Sequence, residues 1–145
     1  MDFQNQFTIT TTDANLMETV QHGSSEYPFR YYYENIALFD FKCIDWHWHS
    51  ELEFIYIESG NVVFDIGAVH FELNEGNGIM INSKILHRLQ SSGDAIIPNF
   101  LFQPSFIAPQ DSLIYKKYIN PVISSSLEYL VFQPDIPWQK KLLKS

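Results

Sequence analysis

A mostly β chain that closes into a barrel or jelly roll, with short helices at its flanks, is the fold this sequence predicts. Two patterns predict it. Between residues 29 and 102, apolar and polar residues alternate in about eight short runs, with turn residues interrupting roughly every ten positions. Helical periodicity is confined to the two ends. Composition sets the scale: 145 residues fit one domain, and 46% hydrophobic with 16% aromatic residues is too apolar for a disordered chain.

Each element has a local reason. Residues 1–12 alternate weakly (Phe7, Ile9), as a short strand or arm would. Residues 13–23 predict a short helix: Thr12 or Asp13 caps it, Leu16, Met17 and Val20 recur at helical spacing, and Gly23 stops it. His22 then lies near the helix end, where the dipole favours it, and is not expected as a ligand. Residues 29–34 alternate, with Arg30 and Tyr32 on one face and Tyr31 and Tyr33 on the other. Strand patterns continue over 36–44, 47–57, 62–66, 69–73, 79–82, 86–90 and 96–102. A hairpin turn is expected at Ser59-Gly60-Asn61 and further turns at Gly67-Ala68, 74–78 and 91–94. Beyond residue 102 the period changes. A helix is expected over 111–119, ended by Pro121, then a short apolar run over 127–132, then a helix opened by Pro137. That last helix stops at Ser145 after about two turns, too few to be stable alone, as if cut from a longer chain. The chain thus divides into an N-terminal arm and helix (1–26), a barrel core (27–103) and a C-terminal helical segment (104–145).

Charge narrows the function. With 17 acidic and 9 basic residues the net charge is −8, which repels phosphate backbones, so direct DNA contact is not expected of this segment. Cys43 is the single cysteine, which excludes an internal disulfide and suits a reducing cytoplasm; its apolar neighbours make it a small packed side chain. Residues 1–6 lack the basic start and apolar core of a signal peptide, and no apolar run reaches the roughly 20 residues of a membrane span. His70, between Val69 and Phe71, is expected on the outer face.

The chemistry concentrates around Asp45-Trp46-His47-Trp48-His49-Ser50-Glu51-Leu52-Glu53. In one extended strand His47, His49 and Glu53 share a face, with Glu51 beside them unless a bulge re-aims it. His87 lies downstream. Three imidazoles and a carboxylate that converge are a ligand set for a divalent transition metal such as Zn, Ni, Fe or Mn. The alternative is that they hydrogen-bond one another in a partly polar interior. Arg30, Tyr32, Trp46, His47, His49, Glu53, Tyr56 and His87 also offer stacking faces and polar handles for one compact polar ligand, such as a sugar.

These same residues carry a family resemblance. His47-x-His49-x-x-x-Glu53 and then Gly60 resemble the first motif of the cupin β-barrels, and 75–87 the second, with Asn74-Glu75-Gly76 where many cupins have Pro-Gly-Asp. Closer still is the N-terminal sensor domain of AraC-family transcription regulators. Pro28-Phe29, Trp46-His47-Trp48-His49, Ile81-Asn82, Leu86-His87, Gln103-Pro104-Ser105-Phe106 and Tyr115 through Pro121 carry that likeness over 18–144. The resemblance implies a cupin-like double-stranded β-helix that senses a small-molecule effector, forms a homodimer through its final helices, and needs no cofactor. DNA would be bound only by a separate C-terminal helix-turn-helix domain absent from this chain. The Asn74-Glu75-Gly76 departure weakens the transfer of metal-dependent chemistry. Two other readings stand beside it: a metal-dependent cupin dioxygenase or isomerase, and a free-standing carbohydrate-binding module.

Overall fold

Strands form where apolar residues alternate, and a computed structural model describes them within residue 3 and residues 6–145. The expected arm over 1–12 therefore falls partly, at Met1, Asp2, Gln4 and Asn5, outside the described residues. The strands are β1 (Phe29–Asn35), β2 (Cys43–His47), β3 (Leu52–Tyr56), β4 (Asn61–Ile66), β5 (Val69–Asn74), β6 (Gly78–Ile81), β7 (His87–Gln90), β8 (Ile96–Phe102) and β9 (Tyr129–Phe132).

They build two antiparallel sheets, one in the order β1-β8-β3-β6-β9 and the other β2-β7-β4-β5. From β1 to β8 the chain changes sheet at every connection except the β4–β5 hairpin. That alternation is the winding of a jelly-roll double-stranded β-helix, the fold the sequence predicts.

Five local expectations are corrected. Residues 36–44 are not one strand: Ile36–Leu38 and Asp40–Lys42 are 3-10 turns. Asn35 caps the first through its side chain, and Phe41 and Lys42 adopt left-handed backbone angles (φ 60 and 51) that no strand accommodates. Residues 47–57 are not one strand either, because β2 and β3 belong to different sheets and the chain crosses between them at 48–51. Gly60 does turn the chain at φ 85, but the strands it joins lie in opposite sheets, so no hairpin forms there.

The helix over 13–23 does not form. Asp13 Oδ1 accepts from the amides of Asn15 and Met17, Leu16 turns left-handed at φ 65, and Met17 pairs in parallel with Trp48. Tertiary pairing outcompetes a helix this short. At the other end Pro121 does not stop its helix. It occupies the first turn of α1 (Asn120–Ile123), where no amide donor is needed, immediately after a π-helical stretch at Tyr115–Ile119.

Between the sheets, Ile55, Val62, Phe64, Ile66, Ile79, Ile81, Leu89 and Ile97 form a buried apolar core at one end of the barrel. α2 (Pro137–Lys144) lies on the outer face of the five-stranded sheet, with Leu143 close over Gly78. Asn82 ties the C-terminal segment down by donating to the carbonyls of Val122 (3.0 Å) and Leu127 (2.8 Å). Among the described residues no helix is long and apolar enough to cross a membrane.

Candidate functional site

The other end of the barrel interior is polar. β2 and β7 pair so that His47 lies directly opposite His87, with ring centroids 4.2 Å apart, after a register shift between Ile44 and His47. β3 belongs to the facing sheet and brings Glu53 across the interior to them. His49 sits in the crossing segment between β2 and β3. Parity along a single strand, which the sequence suggested, is thus not what gathers these groups. A sheet-to-sheet crossing does it; within that crossing the Glu51 carbonyl accepts from His49 Nδ1, and the Glu51 side chain is buried.

His47, His49, Glu53 and His87 are all buried, and one ligand atom from each lies within 4.8 Å of the others. Their hydrogen bonds fix the ring orientations. His47 Nδ1 donates to the Asp45 carbonyl (2.8 Å), His49 Nδ1 to Glu51 (3.1 Å) and His87 Nδ1 to Ile85 (2.8 Å). A carbonyl only accepts, so the proton is on Nδ1 in each ring and Nε2 faces inward. Glu53 Oε1 lies 3.1 Å from His49 Nε2 and 3.3 Å from His87 Nε2.

Acceptors facing acceptors need a positive charge between them. The His49–Glu53 pair obtains one by holding a proton. Burial disfavours charge on His49, but its hydrogen bond to Glu53, together with the charges of Glu53, Glu18 and Glu51, outweighs it and raises the imidazole to about 9. Glu53 is pushed up by burial, yet the bond from protonated His49 and the neighbouring His87 ring hold it well below the usual carboxylate range. His47 has no such partner: burial and its neighbour His87 lower it to about 3, which keeps it neutral. Two donors each about 2.1 Å from one ion are at most about 4.2 Å apart, so a contraction of a few tenths of an ångström suffices for the whole set. Backbone-anchored imidazoles are the usual support of metal-ligating histidines. The group fits a divalent cation.

A cavity of about 50 Å³ adjoins it, lined by Glu18, His22, Tyr32, Glu34, His47, Glu53 and Asn99, with Phe7, Ile9, Thr10 and Thr11 of the N-terminal segment on its wall. Glu34 is buried, accepts from Asn99 Nδ2 at 2.8 Å, and is pushed up to about 7 by burial.

The remaining predicted residues divide. Tyr32 reaches the cavity. Arg30 is exposed and does not line it; its guanidinium lies 5.4 Å from the Tyr32 ring. Trp46 lies outside the barrel, under Arg88 at 4.9 Å, where Arg88 and His70 also bind Asp65. Tyr56 lies on the outer face of β3, in an apolar cleft of about 510 Å³ beside α2. Both follow from pleat parity, since each alternates with an inward residue. His70 is exposed on the outer face, as expected, and Cys43 is half-buried.

Sequence reasoning missed Glu18 and His22. Glu18 and His22 hydrogen-bond each other, and His22 Nδ1 meets the Tyr32 hydroxyl at 2.6 Å. His22 also packs edge-on against His49 at 5.9 Å. Their four-residue spacing carried the signal, but a helix placed there pointed it elsewhere.

A family model described as AraC-like ligand binding domain matches residues 39–108. A protein of Bacillus subtilis (strain 168), named as the uncharacterised HTH-type transcriptional regulator YdeC, is 31% identical over 134 residues. The match covers 90% of this chain and 45% of that protein, so the chain spans less than half its relative's length. Among solved structures, an RmlC-like cupin from Shewanella frigidimarina NCIMB 400 aligns over 52% of this chain and 67% of its own, at 14% identity and TM-score 0.47. A Bacillus subtilis oxalate decarboxylase aligns over 42% of this chain and 18% of its own, at 19% identity and TM-score 0.40.

Proposed function

We propose that this chain, whose residues 39–108 match the AraC-like ligand binding domain, is the effector-sensing and dimerisation part of an AraC-type transcription regulator. The observation that carries this is the polar end of the barrel: buried, convergent acceptor groups beside a cavity that the N-terminal segment helps to line. Such a site converts occupancy into a change of conformation at its mouth. The acidic surface keeps this part off DNA, which a separate helix-turn-helix domain beyond the C-terminal segment binds. In this reading residues 1–26 are the arm, 27–103 the sensor and 104–145 the connection, and the regulator works in the cytoplasm.

The effector site is assigned to His47, His49, Glu53 and His87, with Tyr32 at its side. A divalent cation is the ligand best supported. About 50 Å³ is small enough for an ion and falls well short of the roughly 300 Å³ at which pockets for organic ligands begin. A sugar enters only if residues 7–11 move aside. A bound cation would supply charge that neutralises the carboxylate and fixes the three rings. The role proposed is binding and not turnover, in keeping with the match to a ligand-binding domain. The homodimer is assigned to α2, whose Trp138 and Leu142 are exposed.

The test compares this chain with the longer gene product that carries it. The chain alone should show no affinity for the DNA upstream of its gene. The longer product should bind that DNA, with an affinity that changes when Zn(II), or any molecule that raises the Tm of this chain, is added. A longer product indifferent to every such molecule would sink the reading.

A further inference from the structure

We infer that Glu18 is a fifth donor to the cation held by His47, His49, Glu53 and His87, and that cation binding and the docking of residues 16–18 on Trp48 are one equilibrium. The inference rests on the cation reading above and extends it to a residue outside the four-ligand group.

Glu18 Oε2 lies 3.9 Å from His47 Nε2. That nitrogen carries no proton, because His47 donates through Nδ1 to the Asp45 carbonyl. Two acceptors therefore face each other, at a separation within the roughly 4.2 Å allowed to two donors on one ion. The carboxylate is largely buried, 13% exposed at its side chain. Its other oxygen, Oε1, accepts from His22 Nε2, and His22 Nδ1 accepts in turn from the Tyr32 hydroxyl. This chain fixes the carboxylate and leaves Oε2 directed at the cluster, as outer partners fix metal ligands elsewhere.

The backbone supplies the coupling. Glu18 N donates to the Trp48 carbonyl at 2.9 Å, and Trp48 N donates to Leu16 at 3.0 Å. Trp48 Nε1 adds a bond to the Asn15 carbonyl at 3.0 Å. Trp48 is the residue between two of the ligands, so the strip of chain that presents His47 and His49 is also the strip on which Glu18 docks. Bringing Glu18 in adds a second buried carboxylate beside Glu53 and near Glu34. A divalent cation offsets that repulsion, and its removal restores it.

The experiment titrates Zn(II) alone into the chain stripped by chelator, following heat of binding and amide hydrogen exchange at Glu18, Thr19 and Trp48. The wild type should bind one equivalent, with at least tenfold slower exchange at those three amides. Glu18→Gln, which keeps the side-chain length, should still bind one equivalent but about 10–100-fold more weakly, without the slowing. Glu18→Asp should fall between. Unchanged melting in chelator would show that both variants fold. Wild-type affinity and slowing in Glu18→Gln, with binding abolished in Glu53→Gln, overturns this inference and leaves the cation reading standing. No binding by the wild type overturns both.

Discussion

Replacing Glu34 by Gln tests the electrostatics of the polar end most directly. The carboxyl is buried on β1, opposite Ile97 of β8, and accepts a hydrogen bond from Asn99. Burial, with the charges of Glu53 and Glu18 adding to it, lifts it from 4.5 to about 7 against the opposing bond from Asn99. The folded protein thus keeps a proton that the unfolded chain has released, and stability falls as pH rises. The cost is absent below about 4.5, grows through about 7 and is then constant. Tenfold in proton affinity is about 1.4 kcal/mol, so the full cost is roughly 3 kcal/mol. Gln retains the oxygen that Asn99 addresses and cannot ionise. Urea unfolding in chelator at pH 4.5 and 8.5 should show the two proteins nearly equal at the lower pH. At the higher pH Glu34→Gln should be more stable by roughly 2–3 kcal/mol. Taking the difference between the two proteins cancels the titration of His49 and of the other carboxylates. A gap that does not change with pH would refute the reasoning.

Two structural predictions accompany it. Phe64→Ala removes a fully buried ring stacked on Phe71 in the apolar half of the barrel, and should cost about 3–5 kcal/mol in urea unfolding. Asn82→Ala strands the carbonyls of Val122 and Leu127 and should cost about 1–3 kcal/mol. Limited proteolysis of that variant should cut earlier within residues 113–128, while the barrel strands stay resistant.

Alternation and turn residues made an all-β barrel or jelly roll legible, because pleat parity and turn chemistry are local properties of a chain; the His47-x-His49-x-x-x-Glu53 motif named three of the four clustered residues, although a sheet crossing and not parity gathers them. Trp46 and Tyr56 fell outside because parity sends a neighbour of an inward residue outward, however suitable its ring. What the linear order could not supply was partnership between distant segments. Only the folded barrel decided that β2 and β3 enter opposite sheets and that residues 13–23 pair with Trp48 and do not coil. That pairing also put Glu18 and His22 against the histidines. The physical reason is one of scale: a helix of two or three turns is marginal by itself, so a few long-range backbone bonds and one buried carboxylate are enough to reassign it.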